Sequence, residues 1–389
     1  MSGTRRSERL RSVTPMRRVV IKLGSSVVAD SDGQPRMDVL AGVCDQLAAL
    51  HREGAEVIVV TSGAIARGMR VMRLPQRPTT IGALQAASAV GQGKLYRIYD
   101  ELLRERDVTS AQVLLTFFDM SARTHYLNAR QTLSTLLEWR VLPVINENDT
   151  TATDEISFGD NDFLAAQVAV LVAADELILL TEIDGLYTAD PRLHPDARIV
   201  AEVDDFSALE DLEIGHTTSP LGSGGMRSKV VAAEMATAAG IPTVICNGVR
   251  PGALRAVLAG ERQGGREGTY FHAREARYSS FKLWLKYAKP SRGTLVIDAG
   301  AVRAVLEGSA SLLPVGVVEV LGDFDAGDAV DIAASGDGDG AHGRTLAKGI
   351  CSYSAAELRR VVGLKSDAVR EILPRATDEA VHRDYLVLD

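Results

Sequence analysis

Six short apolar runs recur along the first two-thirds of the chain, and they constrain the fold more than any other feature. They are Arg17–Leu23, Glu56–Val60, Thr109–Leu115, Arg140–Ile145, Glu176–Glu182 and Ile241–Cys246. Each is apolar almost without interruption rather than at alternate positions, the pattern of a strand covered on both faces, as in parallel sheets. Helical periodicity fills the intervals: Met37–Arg52, a helix opening at Ala64, Thr79–Arg106, Thr124–Trp139, Phe163–Ala174 and Met226–Ala239. Strand and helix in alternation predict an α/β architecture with a doubly wound, mostly parallel sheet. In such a sheet ligands bind beyond the carboxyl ends of the strands.

The strand ends are therefore the places to look. The fourth run passes into Asn146-Glu147-Asn148-Asp149, and Gly159-Asp160-Asn161-Asp162 opens the following helix. Two acidic-amide clusters so placed suit a ligand ammonium, or lysines that need holding; turn and N-cap chemistry is the plainer reading of either one alone. Lys22 interrupts the first run just before Gly24-Ser25-Ser26. A lysine there is costly unless it meets an anion or a carboxylate, or snorkels from the strand end. Gly24 allows close backbone approach and can turn N–H groups toward a phosphate. After the second run, Thr61-Ser62-Gly63-Ala64 leads into a helix whose N-terminus favours an anion. Ser62 either adds a hydroxyl to that site or simply caps the helix. A second phosphate-type element, Ser223-Gly224-Gly225-Met226-Arg227-Ser228-Lys229, places Lys229 in the first turn of a helix. Tyr187, on a Gly/Pro-rich turn, reads equally as a nucleotide wall or a surface cover.

The last third changes character. A Gly-rich charged connector, Arg250–Arg274, precedes short β-like runs at Thr294–Ile297, Gly316–Leu321 and Ala329–Ala333, with a helix at Ala355–Val362. The expected organisation is a leader at 1–17, an α/β domain at 18–272, a linker at 273–281, a small mostly-β domain at 282–374 and a tail at 375–389. The 389-residue chain has 46% hydrophobic residues and a formal net charge of −8. It reads as an ordinary globular protein, and the charge disfavours nucleic-acid binding as its main task. The same holds for the tail third, where 13 basic side chains face 16 acidic ones from Tyr278 to Asp389. The strip Lys282, Lys286, Lys289, Arg292 is its one locally basic feature. No apolar run reaches the ~18 residues of a spanning helix. The Arg-rich start lacks the apolar core of a secretory signal. Cys44, Cys246 and Cys351 are far apart and show no metal spacing, which points to reduced thiols and a cytoplasmic location.

Taken together these motifs resemble the amino acid kinase family, in its branch that acts on glutamate and carries a C-terminal PUA domain. The residues that carry the likeness are Val20–Ser26, Val60–Ile65, Leu127–Arg130, Pro143–Asp149, Gly159–Asp162, Gly185–Pro191 and Gly224–Met226, with Ser311–Pro314 and Gly316 in the second domain. The pairing of Asn-Glu-Asn-Asp with Gly-Asp-Asn-Asp is the specific part. The resemblance implies an ATP-dependent phosphotransferase with a carboxyl group as acceptor. Its product would be L-glutamyl 5-phosphate, from phosphorylation of the γ-carboxylate of L-glutamate, the first step of proline biosynthesis. It also implies Mg²⁺, proline as feedback inhibitor and a homo-oligomer (dimer or tetramer); the lack of a spanning run speaks against a membrane partner, and the acidic balance makes RNA an unfavoured one. Residue by residue, Lys22 and Lys229 would contact the transferring phosphoryl group; Ser62, Asp149 and Asn161 would bind glutamate. Lys22, Thr181, Glu182, Ser223, Gly224, Gly225, Met226, Arg227, Ser228 and Lys229 would line the ATP site. Asp160 and Asp162 would support the lysines or polar ligands. Glu182 departs from the family's more usual Asp, and Arg227 stands where smaller side chains are common.

The chemistry is consistent with that implication. A γ-carboxylate with a pKa of about 4.3 is ionised at neutral pH and needs no general base. None of the seven histidines falls in a candidate motif. What remains is positioning and charge neutralisation, which lysines, Mg²⁺ and helix N-termini supply. Rival readings are a kinase of the same fold acting on acetylglutamate or aspartate, and an RNA-binding protein working through the tail domain.

Overall fold

The computed structural model describes residues 17–30, 32–116, 119–120, 123–151, 161–209, 225–259, 268–275, 280–287, 289, 291–307, 310–335, 342–373 and 377–388. Eight strands form the first sheet: β1 (Arg18–Leu23), β2 (Glu56–Val60), β3 (Ser110–Leu115), β4 (Leu142–Glu147), β5 (Glu176–Thr181), β6 (Glu202–Val203), β7 (Thr243–Asn247) and β8 (Thr269–Phe271). Their order is β3-β4-β2-β1-β5-β7-β8-β6. The first six in that order run parallel; β8 is antiparallel to β7, and the short β6, which gave no apolar signal of its own, pairs parallel with β8. The chain leaves β1 toward β2 on one side and returns through β5 on the other, so the topological switch lies at the carboxyl end of β1.

Both faces of the sheet are apolar, which explains the unbroken runs. Val19, Ile21 and Leu23 enter one core, covered by the helices Met37–Arg52 and Ile81–Arg104. Val20 enters the other, with helices Asn161–Leu171 and Met226–Ala238. Successive strand side chains alternate faces. Lys22 therefore shares the face of Val20, under the two helices whose first turns carry Asp162 and Lys229. Register fixes its depth, because Lys22 pairs with Val60 on one side and Leu179 on the other.

Two boundaries differ from the sequence expectation in a way that matters for the site. β4 continues through Asn146 and Glu147, both buried. The following helix starts at Asn161 rather than Phe163, so Asn161 and Asp162 form its first turn.

Helices Ala64–Met72 and Ile81–Arg104 cross at backbone contact. A Cβ on Gly68 would lie 1.7 Å from the Ala87 carbonyl oxygen, and one on Gly91 would lie 1.9 Å from that of Ala64. Gly91→Ala is accordingly expected to destabilise the fold by about 3 kcal/mol through overpacking. Gly93→Ala, on the exposed side of the same helix where a Cβ meets nothing within 4 Å, should gain about 1 kcal/mol from helix propensity. Thermal midpoints of the two variants check the contrast; equal midpoints would remove the close crossing from the account.

The second sheet has the order β10-β9-β11-β12-β13, from β9 (Ser291–Ile297), β10 (Val317–Gly322), β11 (Ala329–Ser335), β12 (His342–Cys351) and β13 (Val381–Leu388). The segment 375–389, expected as a tail, contains β13, which pairs with β12 from Ala347↔Leu388 to Cys351↔Val381. It is a structural strand of the second sheet, concealed in the sequence by the charged stretch His382-Arg383-Asp384 on an exposed edge. The helix Ser280–Tyr287 joins the two units. Leu283 enters the core of the first, while Leu285 packs with Ala329 and Val387 of the second and with Phe163. Residues 1–16 of the expected leader and the Gly/Asp-rich stretch 336–341 lie outside the described residues. Among the described residues no helix is long and apolar enough to cross a membrane.

Candidate active site

The centre of the site is a carboxylate between two amines. Asp162 is fully buried; its Oδ1 accepts from Lys22 Nζ at 2.6 Å and its Oδ2 from Lys229 Nζ at 3.0 Å. Ser228 Oγ adds a third bond to Oδ2 at 2.9 Å. Burial alone would raise the Asp162 pKa. The charges of Lys22 and then Lys229, with their hydrogen bonds, more than offset that and hold the carboxyl below the ordinary carboxylate range. The lysines, 207 positions apart in sequence, reach one point because β1 and the helix Met226–Ala238 meet at the first turn of helix Asn161–Leu171. Gly225 starts the lysine-bearing helix with no side-chain cap bond, so its amino end offers backbone N–H groups and dipole beside Lys229.

A polar cup adjoins this clamp. Asn161, next to Asp162, donates Nδ2 to Asn146 Oδ1 at 3.0 Å and to Ser62 Oγ at 3.3 Å. Asn146 donates in turn to Gln92 Oε1 at 2.5 Å. Ser62, Asn146, Asp149 and Asn161 line one pocket, together with Ser25 and Arg77. Its floor is the uncapped start of helix Ala64–Met72. Ser62 is not the cap of that helix: Gly63 holds the position with a left-handed φ of 101°, which leaves the serine hydroxyl to Asn161. Asp149 is 5% exposed. Ser88 Oγ donates to its Oδ2, while its Oδ1 and Asn161 Oδ1 are buried with no hydrogen-bond partner among the described residues. Burial pushes the Asp149 pKa above the ordinary range, and the Ser88 hydrogen bond and the charge of Arg77 only partly oppose it. A buried carboxylate with one oxygen unsatisfied asks for a cationic donor.

The remaining candidates fall into three groups. Thr181 is buried at the end of β5, directly beyond Leu180, whose carbonyl receives the Gly24 N–H at 3.0 Å. Of the two expectations for Gly24, close backbone approach is what the strand pairing shows, since a Cβ there would sit 3.1 Å from the Leu180 oxygen, while its own N–H is spent on β5. Glu182 and Arg227 are exposed, and the Glu182 carbonyl accepts from Asn247 Nδ2 at 3.2 Å. Gly225, Met226, Arg227 and Ser228 are described as the opening of the Lys229 helix. Ser223, Gly224 and Asp160 lie outside the described residues. Sequence reasoning did not single out Arg77, Ser88 or Gln92. All three come from the segment 73–104, which carries no glycine-loop or acidic motif; their partners lie across the fold, not along the chain.

Comparison with known proteins follows the same division. Residues 17–247 match the amino acid kinase family, and residues 293–373 match the PUA domain. The glutamate 5-kinase of Meiothermus ruber is 44% identical over 373 residues, 96% of each chain. That of Thermus thermophilus is also 44% identical over 373 residues, 96% of this chain and 97% of its own. The Streptomyces coelicolor enzyme of the same name is 44% identical over 390 residues, covering 100% of this chain and 99% of its own.

Proposed function

The chain belongs to the amino acid kinase family, and from that premise we propose that it transfers the terminal phosphoryl group of ATP to the γ-carboxylate of L-glutamate, the opening step of proline biosynthesis. The observation that carries this reading is the adjacency of Asn161 and Asp162. One residue faces a cup suited to an amino acid, and its neighbour faces a pair of lysines suited to a phosphoryl group.

The chain's own groups account for the transfer as follows. The γ-carboxylate attacks as an anion and needs no base. Lys22 and Lys229 each carry three N–H donors, of which Asp162 takes one. Others would face the phosphoryl oxygens, where charge is carried through the transition state. Asp162 keeps both ammonium groups in register and lets two like charges coexist in a buried place. Ser62 offers its hydroxyl to the acceptor end of glutamate, and the unsatisfied Oδ1 atoms of Asp149 and Asn161 receive its ammonium. Thr181, Glu182 and the segment 223–229 border the nucleotide. Mg²⁺ would neutralise the nucleotide's phosphates. Among the described residues no three carboxylate, histidine or cysteine side chains converge on a metal site, and both Asp162 oxygens are taken by lysines. The donor set therefore fits a metal that arrives on the nucleotide, not one caged by the protein. A cytoplasmic homo-oligomer, dimer or tetramer, inhibited by proline completes the proposal; its support is the family likeness.

ATP turnover with L-glutamate, L-aspartate and N-acetyl-L-glutamate tests the reading. Glutamate alone should support it, because acetylation removes the cation that Asp149 requires and aspartate is one methylene short. Comparable turnover of N-acetylglutamate would overturn the assignment.

The raised pKa of Asp149 gives a pH prediction. A protonated Asp149 cannot hold an ammonium, so KM for glutamate should rise as pH falls through the elevated pKa. The rise should begin above the ~3.9 of an ordinary aspartate. Bound glutamate favours the carboxylate form, so at such a pH binding expels a proton. Asp149→Asn should show a high KM and lose the part of this limb that lies above the ~4.3 at which the substrate's own γ-carboxylate titrates. Retention of that part in the variant would assign the titration elsewhere.

A further inference from the structure

We propose that Arg77 is the specificity residue that receives the α-carboxylate of the amino-acid substrate, forming with Asp149 a charge pair complementary to the zwitterionic α-carbon. The proposal rests on the glutamate reading above and extends it to a group that reading leaves without a partner. Glutamate brings three charged groups. Its γ-carboxylate faces the lysines and its ammonium faces Asp149, which leaves one anion.

Arg77 is placed for that anion. It lines the same pocket as Ser62, Asn146, Asp149 and Asn161, in the connection between helices Ala64–Met72 and Ile81–Arg104. Residues 73–76 and 79–80 of that stretch are exposed, whereas Arg77 and Pro78 are half-buried. Pro78 restricts Arg77 to extended backbone, which fixes the direction from which its side chain enters. Arg77 and Asp149 feel each other's charge: the carboxylate favours the charged guanidinium against burial, and the guanidinium favours the carboxylate. An ammonium and a carboxylate on one carbon present the reverse arrangement, so an entering zwitterion would set its ammonium toward Asp149 and its carboxylate toward Arg77. The planar guanidinium matches a carboxylate through two parallel N–H bonds, which a lysine cannot copy.

The test removes the charge from the protein and from the substrate separately. 4-Aminobutyrate is glutamate without its α-carboxylate. With wild-type enzyme, kcat/KM should favour glutamate strongly. Arg77→Ala should cut that preference by roughly 10- to 100-fold, the range expected for a charge-assisted hydrogen bond, mostly through KM for glutamate and with KM for ATP little changed. Arg77→Lys should recover part of the preference, and Gln76→Ala, exposed on the same connection, should keep all of it. Equal losses on both substrates, or an intact preference in Arg77→Ala, would overturn the proposal and leave the α-carboxylate to the start of helix Ala64–Met72. Absence of glutamate phosphorylation by the wild-type enzyme would instead overturn the underlying functional reading.

Discussion

Replacing Lys229 by alanine is expected to lower kcat by roughly 100- to 1000-fold, the loss typical of a removed transition-state donor, with KM for glutamate changed far less. The side chain is buried at the first turn of its helix and is paired with Asp162. Asp162 takes one of its three N–H donors, the others would serve the phosphoryl group, and the glutamate cup is built from other residues. Lys22→Ala should behave alike, because Lys22 holds the other oxygen of the same carboxylate. The two amines act as a unit, so the double variant should lose less than the product of the single losses. Steady-state kinetics of the three variants measures this. An unchanged kcat in either single variant would remove that lysine from the transfer step.

The second large effect belongs to Asp162. Asp162→Asn should destabilise the protein by about 3 kcal/mol or more, since it strands two buried ammonium groups without their counter-charge. It should also abolish turnover by releasing the lysines from register. The pH dependence has a definite sign. The folded-state pKa of Asp162 lies below its unfolded value, so its contribution is fully present above the ordinary carboxylate pKa and is lost as pH falls through the depressed folded value. The difference in thermal midpoint between wild type and Asp162→Asn should thus be constant across neutral pH and narrow in acid, below pH ~4. A variant as stable as wild type at pH 7 would contradict the clamp.

How much of this was legible in the sequence depends on where the information lies. The parallel sheet was legible because each central strand is apolar on both faces, and helices such as Met37–Arg52 announce themselves by period and by the glycine that follows. Lys22 stood out because a charge in an apolar run demands a reason. Its partner could be narrowed only to an anion, a carboxylate or solvent. The choice of Asp162 needed the parity that puts Lys22 on the face of Val20 and the two-residue earlier start of helix Asn161–Leu171, and boundary positions of that kind depend on tertiary contacts. Asn146 was visible in its motif, but its placement inside β4, donating to Gln92 across the fold, was not. Ser88 and Arg77 gave no local signal, since a serine in an Ala-rich helix and an arginine in a polar connection are unremarkable until Asp149 lies beside them. β13 was hidden for a related reason: its charged residues face solvent, and only its pairing with β12 makes it a strand.

The helix Ser280–Tyr287 sets the second sheet against the catalytic unit. Phe163 packs in the same small cluster as Leu285 and Val387, one residue after Asp162. The second domain thereby borders the helix turn that carries Asp162.

The central claim is that an amino acid's own carboxylate is the nucleophile toward a phosphoryl group held by Lys22 and Lys229. Trapping with hydroxylamine tests it most directly, because an acyl phosphate is converted to a hydroxamate that gives a coloured iron complex. With enzyme, ATP, Mg²⁺ and L-glutamate the account predicts γ-glutamyl hydroxamate in proportion to ADP, and none when glutamate or ATP is omitted or when Lys229→Ala replaces the wild type on the same time scale. ADP formation without hydroxamate, or hydroxamate formed undiminished by Lys229→Ala, would contradict it.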